Sequence, residues 1–296
     1  MCLLNGKIMR TLFFNILLGL ILSISTYCQD TVCVYVFGGQ SNTGASWYGN
    51  PSDIYPEDSS KFLAESQDDY IYNPFWDTAY YGNKQVPRFE KLYLGHNTSN
   101  RQAVPDDPIQ NIRFGPEVSM GYYMDSIYII KIGGNSNSIV FYTYSQPRGS
   151  SWCYTNLYRA FNQMYVLNKI PILKGYIWIQ SESDCNFLDA SNNYGVQLDS
   201  LFTQFEYHYQ IICNKFNFPD STANYKKIIF ETKSACTYLE TVEQHKIDYC
   251  ASHENAIYWE VDKYPLRYDN LHYTVLGVLS QGIDLATYFN TGALPF

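Results

Sequence analysis

The sequence has no block of basic residues. Its 20 Lys and Arg residues are scattered along the chain and are outnumbered by 28 Asp and Glu residues, which gives a formal net charge of −8. Domains that bind nucleic acid or dock on anionic membranes concentrate Lys and Arg in a patch or a stripe. The composition therefore argues against nucleic acid and anionic membrane surfaces as partners.

Closely spaced cysteines are also missing. The eight cysteines form no Cys-x-x-Cys pair and have no companion histidines at ligand spacing, which argues against a zinc site. If a leader ends at Cys28, six cysteines remain, and an even number predicts disulfides in a secreted chain without fixing their connectivity. Because the chain also lacks internal repeats and low-complexity linkers, we predict one domain.

The N-terminus has the layout of a secretory signal peptide. Two basic residues precede an apolar stretch over 12–24, and small and polar residues follow it. This stretch is short for a membrane span. We therefore expect residues 1–28 to be a signal peptide and residues 29–296 to be a secreted domain, with an uncleaved anchor as the alternative. The only N-glycosylation sequon begins at Asn97, and glycosylation there is expected only in a secreted chain.

Apolar runs of strand length alternate with stretches of helical periodicity. Five runs rich in Val, Ile, Phe, Tyr and Trp stand out, at 32–37, 138–144, 175–179, 227–230 and 256–261. The helical patterns lie within 114–133, 192–216 and 273–289. Near-continuous apolar strands are typical of parallel sheets that are covered on both faces. The alternation therefore predicts an α/β protein with a parallel sheet between two layers of helices.

One segment does not fit this alternation. Residues 45–113 are rich in Pro, Asp, Asn and Tyr and show little periodicity. We interpret them as a long loop excursion with one strand near 89–94. Long loops inside a compact domain are often functional, so this excursion is the expected determinant of substrate choice.

A serine follows the first predicted strand, at the edge where ligands bind in parallel sheets. If Ser41 is a nucleophile, it needs a base and a group that orients the base. Among the five histidines, His272 lies between the last strand and the last helix, and Asp269 precedes it by three residues. That spacing lets both side chains turn inward from one short loop. The alternative interpretation is a helix start with an incidental histidine.

Two other predicted strand ends offer donors for a developing oxyanion. Gly149 permits a tight turn that presents a backbone N–H, and Gln180 carries a side-chain amide. Glu182 and Asp184 follow Gln180. These acids suit a metal, acid–base chemistry or a solvated turn, and no second acid-and-histidine cluster supports the metal. Ser41, Gly149, Gln180 and His272 thus follow successive predicted strands. We therefore expect them to lie along one edge of the sheet.

Five short motifs follow one another along the chain, and they are Gly39-Gln40-Ser41-Asn42, Gly115-Pro116-Glu117, Gly149-Ser150-Ser151, Trp178-Ile179-Gln180-Ser181-Glu182-Ser183-Asp184 and Asp269-Asn270-Leu271-His272. In these motifs the sequence resembles the SGNH-type hydrolases, and within them the sialate O-acetylesterase and acetylxylan esterase branch, carbohydrate esterase family six. The resemblance covers 32–286. It implies a flavodoxin-like three-layer α/β/α sandwich with a central, mostly parallel five-stranded sheet.

The resemblance also implies a serine esterase that uses no metal or cofactor. Ser41 would be the nucleophile, His272 the base and Asp269 the residue that orients it. The oxyanion hole would be formed by Ser41 N–H, Gly149 N–H and Gln180. Glu182 matches an acid of the family motif and would have a supporting role. Gln40 and Asn42 are also expected to have supporting roles, because their amides can hydrogen-bond neighbouring loops and fix the direction of Ser41.

The implied function is a secreted esterase that removes O-acetyl groups from carbohydrates of the sialic acid or xylan type. The alternatives are a non-catalytic glycan-binding surface protein on the same fold and an esterase for lipid or aryl esters. The chain departs from the family at Ser181, which replaces a glycine, and at Thr43-Gly44, which replace Met-Ala. Its 29 tyrosines reflect either composition alone or exposed rings that stack on sugars.

Overall fold

The computed structural model describes most of the chain from the first predicted strand onward. The described residues are 30–44, 68–72, 88–92, 114–133, 137–145 and 147–295. The predicted signal peptide, the sequon at Asn97 and most of the excursion over 45–113 lie outside them.

Strands and helices alternate through the described residues. The strands are β1 (Asp30–Gly39), β2 (Tyr70–Tyr72), β3 (Phe89–Lys91), β4 (Ile127–Lys131), β5 (Lys169–Ile179), β6 (Lys226–Phe230) and β7 (Ala256–Trp259). The α-helices are α1 (Ser41–Gly44), α2 (Glu117–Tyr122), α3 (Pro147–Val166), α4 (Leu188–Phe216), α5 (Leu239–Ser252) and α6 (Val275–Thr291), and a 3₁₀ helix spans Ile139–Tyr142. Among these helices, none is long and apolar enough to cross a membrane.

The seven strands form one sheet in the order β3-β2-β4-β1-β5-β6-β7. All neighbours pair in parallel except β2 and β3, which are antiparallel. After β1 the chain runs to β2 and the edge strand β3, returns to β4 beside β1, and then crosses to β5 on the other side of β1. The end of β1 is therefore the point where the strand order reverses, and such points form ligand-binding crevices in open α/β sheets.

Side chains of the central strand alternate between two hydrophobic cores. Val34 and Val36 pack into the first core with residues of α3, α4 and α5. Tyr35 and Phe37 pack into the second core with residues of α2 and α6. Successive side chains of a strand point to opposite faces of its sheet, so helices cover both faces. The predicted α/β/α sandwich is confirmed.

The predicted strand count of five is wrong, and so is the strand at 138–144. That run instead contains the 3₁₀ helix, which buries Ile139 and Tyr142. Residues three apart share a face in a 3₁₀ helix, so a short apolar run suits this helix as well as a strand. The strand expected near 89–94 is present as β3, and β2 and β4 complete the seven.

The helix predicted within 114–133 ends early. It spans only α2, and Ser126 then adopts a left-handed conformation with φ of 54°. Ile127 to Lys131 follow as β4, in which all five residues are buried. A helix would expose part of this run, whereas a central strand covers both faces. Burial on two sides therefore explains why these residues form a strand.

One disulfide joins Cys185, after β5, to Cys236, before α5. The expectation of disulfides is thus confirmed for this pair. The other four cysteines of the described residues, Cys33, Cys153, Cys213 and Cys250, are unpaired. The bond closes a loop across a sequence separation of 51, so it restricts the unfolded chain and stabilises the fold.

We predict that Cys236→Ser lowers the free energy of unfolding by about 2–5 kcal/mol, because the unfolded chain regains the entropy of this loop. Chemical denaturation under non-reducing conditions measures the change. The matched control is Cys250→Ser, which removes a partly buried thiol that forms no disulfide. Equal losses in the two variants would contradict the prediction.

Candidate active site

The site begins where β1 ends. Gly39 has φ of +135°, and a side chain at this position would run into the carbonyl oxygen of Ile179. Only glycine adopts this conformation readily. The next N–H, that of Gln40, donates to the Ile179 carbonyl at 3.1 Å. This close approach turns the chain directly into α1 and places Ser41 at its first position.

Ser41, His272 and Asp269 form a hydrogen-bonded row. His272 Nε2 lies 3.0 Å from Ser41 Oγ, and His272 Nδ1 lies 2.9 Å from Asp269 Oδ2. A carboxylate only accepts hydrogen bonds, so the imidazole proton belongs on Nδ1 and Nε2 is left to accept the Ser41 hydroxyl proton. Ser41 and His272 are 8% and 6% exposed, which keeps the row largely shielded from solvent.

The Asp269 loop is built to hold this carboxylate ionised. Asn270 has φ of 52°, a left-handed conformation that asparagine tolerates. The turn lets Asp269 Oδ1 accept the backbone N–H groups of Leu271 and His272, both at 3.0 Å. Burial alone would raise the pKa of Asp269, but hydrogen bonds from His272 and Leu271 outweigh burial and lower it.

The two amides beside Ser41 connect its turn to neighbouring loops. Asn42 Nδ2 donates to Glu182 Oε1 at 2.7 Å and to the Leu271 carbonyl at 3.1 Å. Gln40 Oε1 accepts from Gln180 Nε2 at 3.2 Å and from the Ser183 N–H at 3.3 Å. The Ser41 turn is therefore tied to the loop after β5 and to the Asp269–His272 loop.

Gln180 lies in the site, but its amide is fully engaged. Besides Gln40, its Nε2 donates to the Asn137 carbonyl at 3.1 Å and to Asp184 Oδ2. Its Oε1 accepts from the Tyr194 hydroxyl at 3.0 Å. The two amide hydrogens thus face three acceptors inside the protein, and in this structure Gln180 acts as a crosslink between loops.

Gly149 is not at a strand end. It lies in the first turn of α3, where a side chain would run into the carbonyl oxygen of Phe141. Among the described glycines, Gly133, two residues after the end of β4, also lies beside the serine turn. A Cβ at Gly133 would lie 3.0 Å from the Gly39 carbonyl oxygen and 3.2 Å from Thr43 Cγ2. The sequence carried a signal for it, since Gly133-Gly134 follow an apolar run as Gly38-Gly39 do.

A buried ion pair beneath α1 was missed by the sequence reasoning. Lys131 Nζ lies 3.1 Å from Glu117 Oε2 and also donates to the Thr43 carbonyl. Glu117 Oε1 accepts the Gly115 N–H at 2.9 Å. Burial lowers the pKa of Lys131, and Glu117 opposes that shift. The pair fixes the end of the helix that begins with Ser41.

Ser181, which stands where the family that the sequence resembles has glycine, is fully buried. Its hydroxyl accepts from the buried Lys246 Nζ at 3.0 Å and hydrogen-bonds Thr232 Oγ1. Lys246 also donates to the Phe230 carbonyl and to Glu243 Oε1, at 2.8 and 2.9 Å. The serine thus supplies one of the oxygens that surround a buried cation.

Asp184 connects the site to the 3₁₀ helix. Its Oδ2 accepts the Ile139 N–H at 3.0 Å as well as the Gln180 amide, while its buried Oδ1 has no hydrogen-bond partner within the described part of the chain. Burial, only partly offset by the bonds from Gln180 and Ile139, raises the pKa of Asp184 to about 6. Ionised Asp184 is therefore a cost to stability.

Comparisons with known proteins leave the family open and describe the fold. No family model and no curated protein matches the sequence. Among solved structures, a protein from Arabidopsis thaliana has a TM-score of 0.61 at 14% identity over 88% of this chain and 98% of that one. The protein NanS has a TM-score of 0.59 at 11% identity over 90% and 99%. A carbohydrate acetylesterase from Xanthomonas citri has a TM-score of 0.52 at 12% identity over 88% of this chain and 57% of that one.

We predict that Lys131→Met destabilises the protein by about 3–5 kcal/mol, because it leaves Glu117 buried without its cation. The double variant Glu117→Gln/Lys131→Met should lose less than the sum of the two single variants. Chemical denaturation at neutral pH measures each loss. Lys169→Met is the control, since its 2.7 Å pair with Asp30 is open to solvent on the Asp30 side and should contribute less than about 1 kcal/mol. Additive single losses would contradict the coupling.

Asp184 should give a defined pH dependence. Its folded pKa of about 6 exceeds the ordinary value of 3.8, so the folded state binds the extra proton and stability falls as pH rises between these values. The free energy of unfolding of the wild type, minus that of Asp184→Asn, should fall by about 3 kcal/mol from pH 3 to pH 7. Denaturant melts at both pH values measure it, and a constant difference would refute the assignment.

Proposed function

We propose that the chain is a carbohydrate O-acetylesterase of the SGNH hydrolase type, with Ser41 as nucleophile, His272 as base and Asp269 as its orienter. The observation that carries the proposal is the hydrogen-bonded row from Asp269 through His272 to Ser41 at the end of the central strand. A nucleophile, a base in contact with it and a carboxylate that orients the base are the parts that acyl transfer needs.

The proposed reaction forms an acetyl-enzyme. Ser41 Oγ attacks the acetyl carbonyl carbon while its proton passes to His272 Nε2. His272 then returns this proton to the sugar oxygen as the ester C–O bond breaks. In the second half-reaction His272 takes a proton from water, and the oxygen of that water attacks the carbonyl carbon of acetyl-Ser41. The bond from this carbon to Ser41 Oγ then breaks, His272 returns the proton to Oγ, and acetic acid leaves and ionises to acetate. Throughout, Asp269 holds the imidazole tautomer and stabilises the imidazolium without accepting the proton itself.

The oxyanion is assigned to two backbone N–H groups, those of Ser41 and Gly133. Ser41 begins α1, and the first N–H groups of a helix have no acceptor within it. Gly133 follows the neighbouring parallel strand and lies against the ends of the serine turn, at Gly39 and Thr43. In this proposal Gln180, Gln40, Asn42 and Glu182 hold the serine turn rather than contact the oxyanion.

The finer features of the proposal rest on the sequence and on one likeness. Acetylated carbohydrate as substrate, of the sialic acid or xylan type, is supported by the motif resemblance and by the fold shared with the Xanthomonas citri acetylesterase. Secretion as one domain is supported by the layout of residues 1–28 and by the Cys185–Cys236 bond, since disulfides persist mainly in oxidising compartments. Glycosylation at Asn97 belongs to the same proposal.

Hydrolysis of p-nitrophenyl acetate, acetylated xylan and acetylated sialic acid by variants tests the function. Ser41→Ala and His272→Ala should each lose about 10³- to 10⁶-fold in kcat, or about 4–8 kcal/mol of transition-state stabilisation. Asp269→Asn should lose about 10⁴-fold, because it favours the wrong imidazole tautomer.

The matched control is His253→Ala, which removes a histidine at the end of α5 outside the proposed machinery. It should leave kcat unchanged. Full activity in Ser41→Ala would overturn the assignment of the nucleophile. Glycan binding by a wild type that cleaves none of these esters would favour the non-catalytic alternative, and preference for long acyl chains would favour a lipid esterase.

A further inference from the structure

The structure has a cavity of about 500 Å³ whose described lining includes neither Ser41 nor His272. It lies between the start of α3, the middle of α4 and the segment that follows the 3₁₀ helix. Each described lining residue carries either an aromatic ring or a small aliphatic hydroxyl. These residues are Tyr144, Ser150, Ser151, Tyr154, Thr155, Tyr158 and His208. This volume is within the range of small-molecule sites.

The cavity is lined by other residues than those of the proposed triad. One of its walls, Tyr144, follows the 3₁₀ helix, whose Tyr142 hydroxyl hydrogen-bonds the Gly39 carbonyl of the serine turn. His208, on α4, forms another wall. The lining residues include none of the groups assigned to catalysis, so the cavity is a separate feature of the molecule.

Its walls form a fixed aromatic corner. The rings of Tyr154 and His208 stack with centroids 3.7 Å apart and planes at 20°. Tyr144 stands edge-on to His208 at 65°, and its hydroxyl hydrogen-bonds His208 Nε2. The Tyr144 backbone N–H donates to Gln204 Oε1 at 2.9 Å. Tyr144 is nevertheless 50% exposed, so a rigidly held ring is open to a ligand.

The described residues of the lining are neutral, since none of these seven is Asp, Glu, Lys or Arg. Burial lowers the pKa of His208 and raises the pKa of Tyr144, so both are uncharged at neutral pH. Lys215 lies over the ring of Tyr158 at 5.2 Å and already covers one face of that ring. The seven described lining residues themselves therefore offer no ionised group to a charged ligand, and burying a charge without a partner is unfavourable.

Aromatic faces and aliphatic hydroxyls together suit one kind of ligand. A pyranose ring offers C–H faces that pack on aromatic rings, and its rim of hydroxyl groups pairs with Ser, Thr and Tyr hydroxyls. Ser151 and Thr155 are exposed next to the buried Ser150, and all three line the cavity. A purely apolar ligand would leave these groups unused.

From this geometry we infer that the cavity between Tyr144, Tyr154 and Thr155 is a non-catalytic binding site for a neutral pyranose unit of a glycan. This inference goes beyond the proposed esterase and does not depend on it. A glycan bound here by an unmodified sugar would be held to the protein without occupying the Ser41 site.

Isothermal titration calorimetry of the full chain with unacetylated xylohexaose and cellohexaose at pH 7 tests the site. At least one of the two should bind, because neither carries an ester or a charge. Tyr144→Ala and Tyr154→Ala should each weaken that binding at least fivefold. Tyr154→Phe keeps the ring and should bind within about twofold of the wild type, which guards against a general loss of structure in the alanine variants.

Two further variants separate this site from others. Tyr122→Ala removes a similarly exposed tyrosine, 46% exposed on α2 against the opposite core, and should leave binding unchanged. Ser41→Ala should also bind normally, so failure of the esterase proposal would leave this result intact. Absence of binding to both oligosaccharides, unchanged binding in Tyr144→Ala and Tyr154→Ala, or loss of binding in Ser41→Ala would each overturn the inference.

Discussion

The side-chain amide of Asn42 joins three loops that are far apart in sequence. Its two hydrogen bonds reach Glu182 and Leu271, which are 140 and 229 positions away. The first fixes the loop after β5, and the second fixes the turn that carries Asp269 and His272. A contact of 3.0 Å between Ser41 and His272 needs both loops held to a fraction of an ångström, and bonds that converge on the residue next to the serine provide that hold.

Two buried cations lie beneath this arrangement, and each binds a backbone carbonyl where an element ends. Lys131 donates to Thr43, near the end of α1, and Lys246 donates to Phe230, at the end of β6. Burying a lysine is costly even when it is paired, and an apolar replacement of the whole pair often stabilises a protein. A gain in stability is therefore a poor explanation for burying these two lysines. Instead, each lysine holds a backbone carbonyl in place beside a loop of the site.

Prediction from sequence succeeded where a pattern was both local and unambiguous. The central strand β1 reads as one apolar run, and Asp269 lies three residues from His272, so a single turn joins them. Prediction from sequence failed for β4. Ile127–Lys131 lie soon after the helix α2 and are apolar like it, so the two elements were predicted as one helix. The ion pair between Lys131 and Glu117 could not be seen either, since it depends on β4 lying beside β1.

Gly149 and Gly133 are the two candidates for a glycine N–H in the proposed oxyanion hole. Comparing them shows which sequence features predict where a residue lies in the fold. A Gly-Ser-Ser motif is so short that a sequence can match it without sharing the structure around it. Gly149-Ser150-Ser151 is such a match. Yet the buried residues Cys153, Leu157, Phe161 and Met164 recur after it at helical spacing, which identifies Gly149 as a helix start. Gly133 instead follows a strand that pairs in parallel with β1. Because the carboxyl ends of parallel neighbours meet at one edge, the strand that precedes a glycine decides whether its N–H can face the serine.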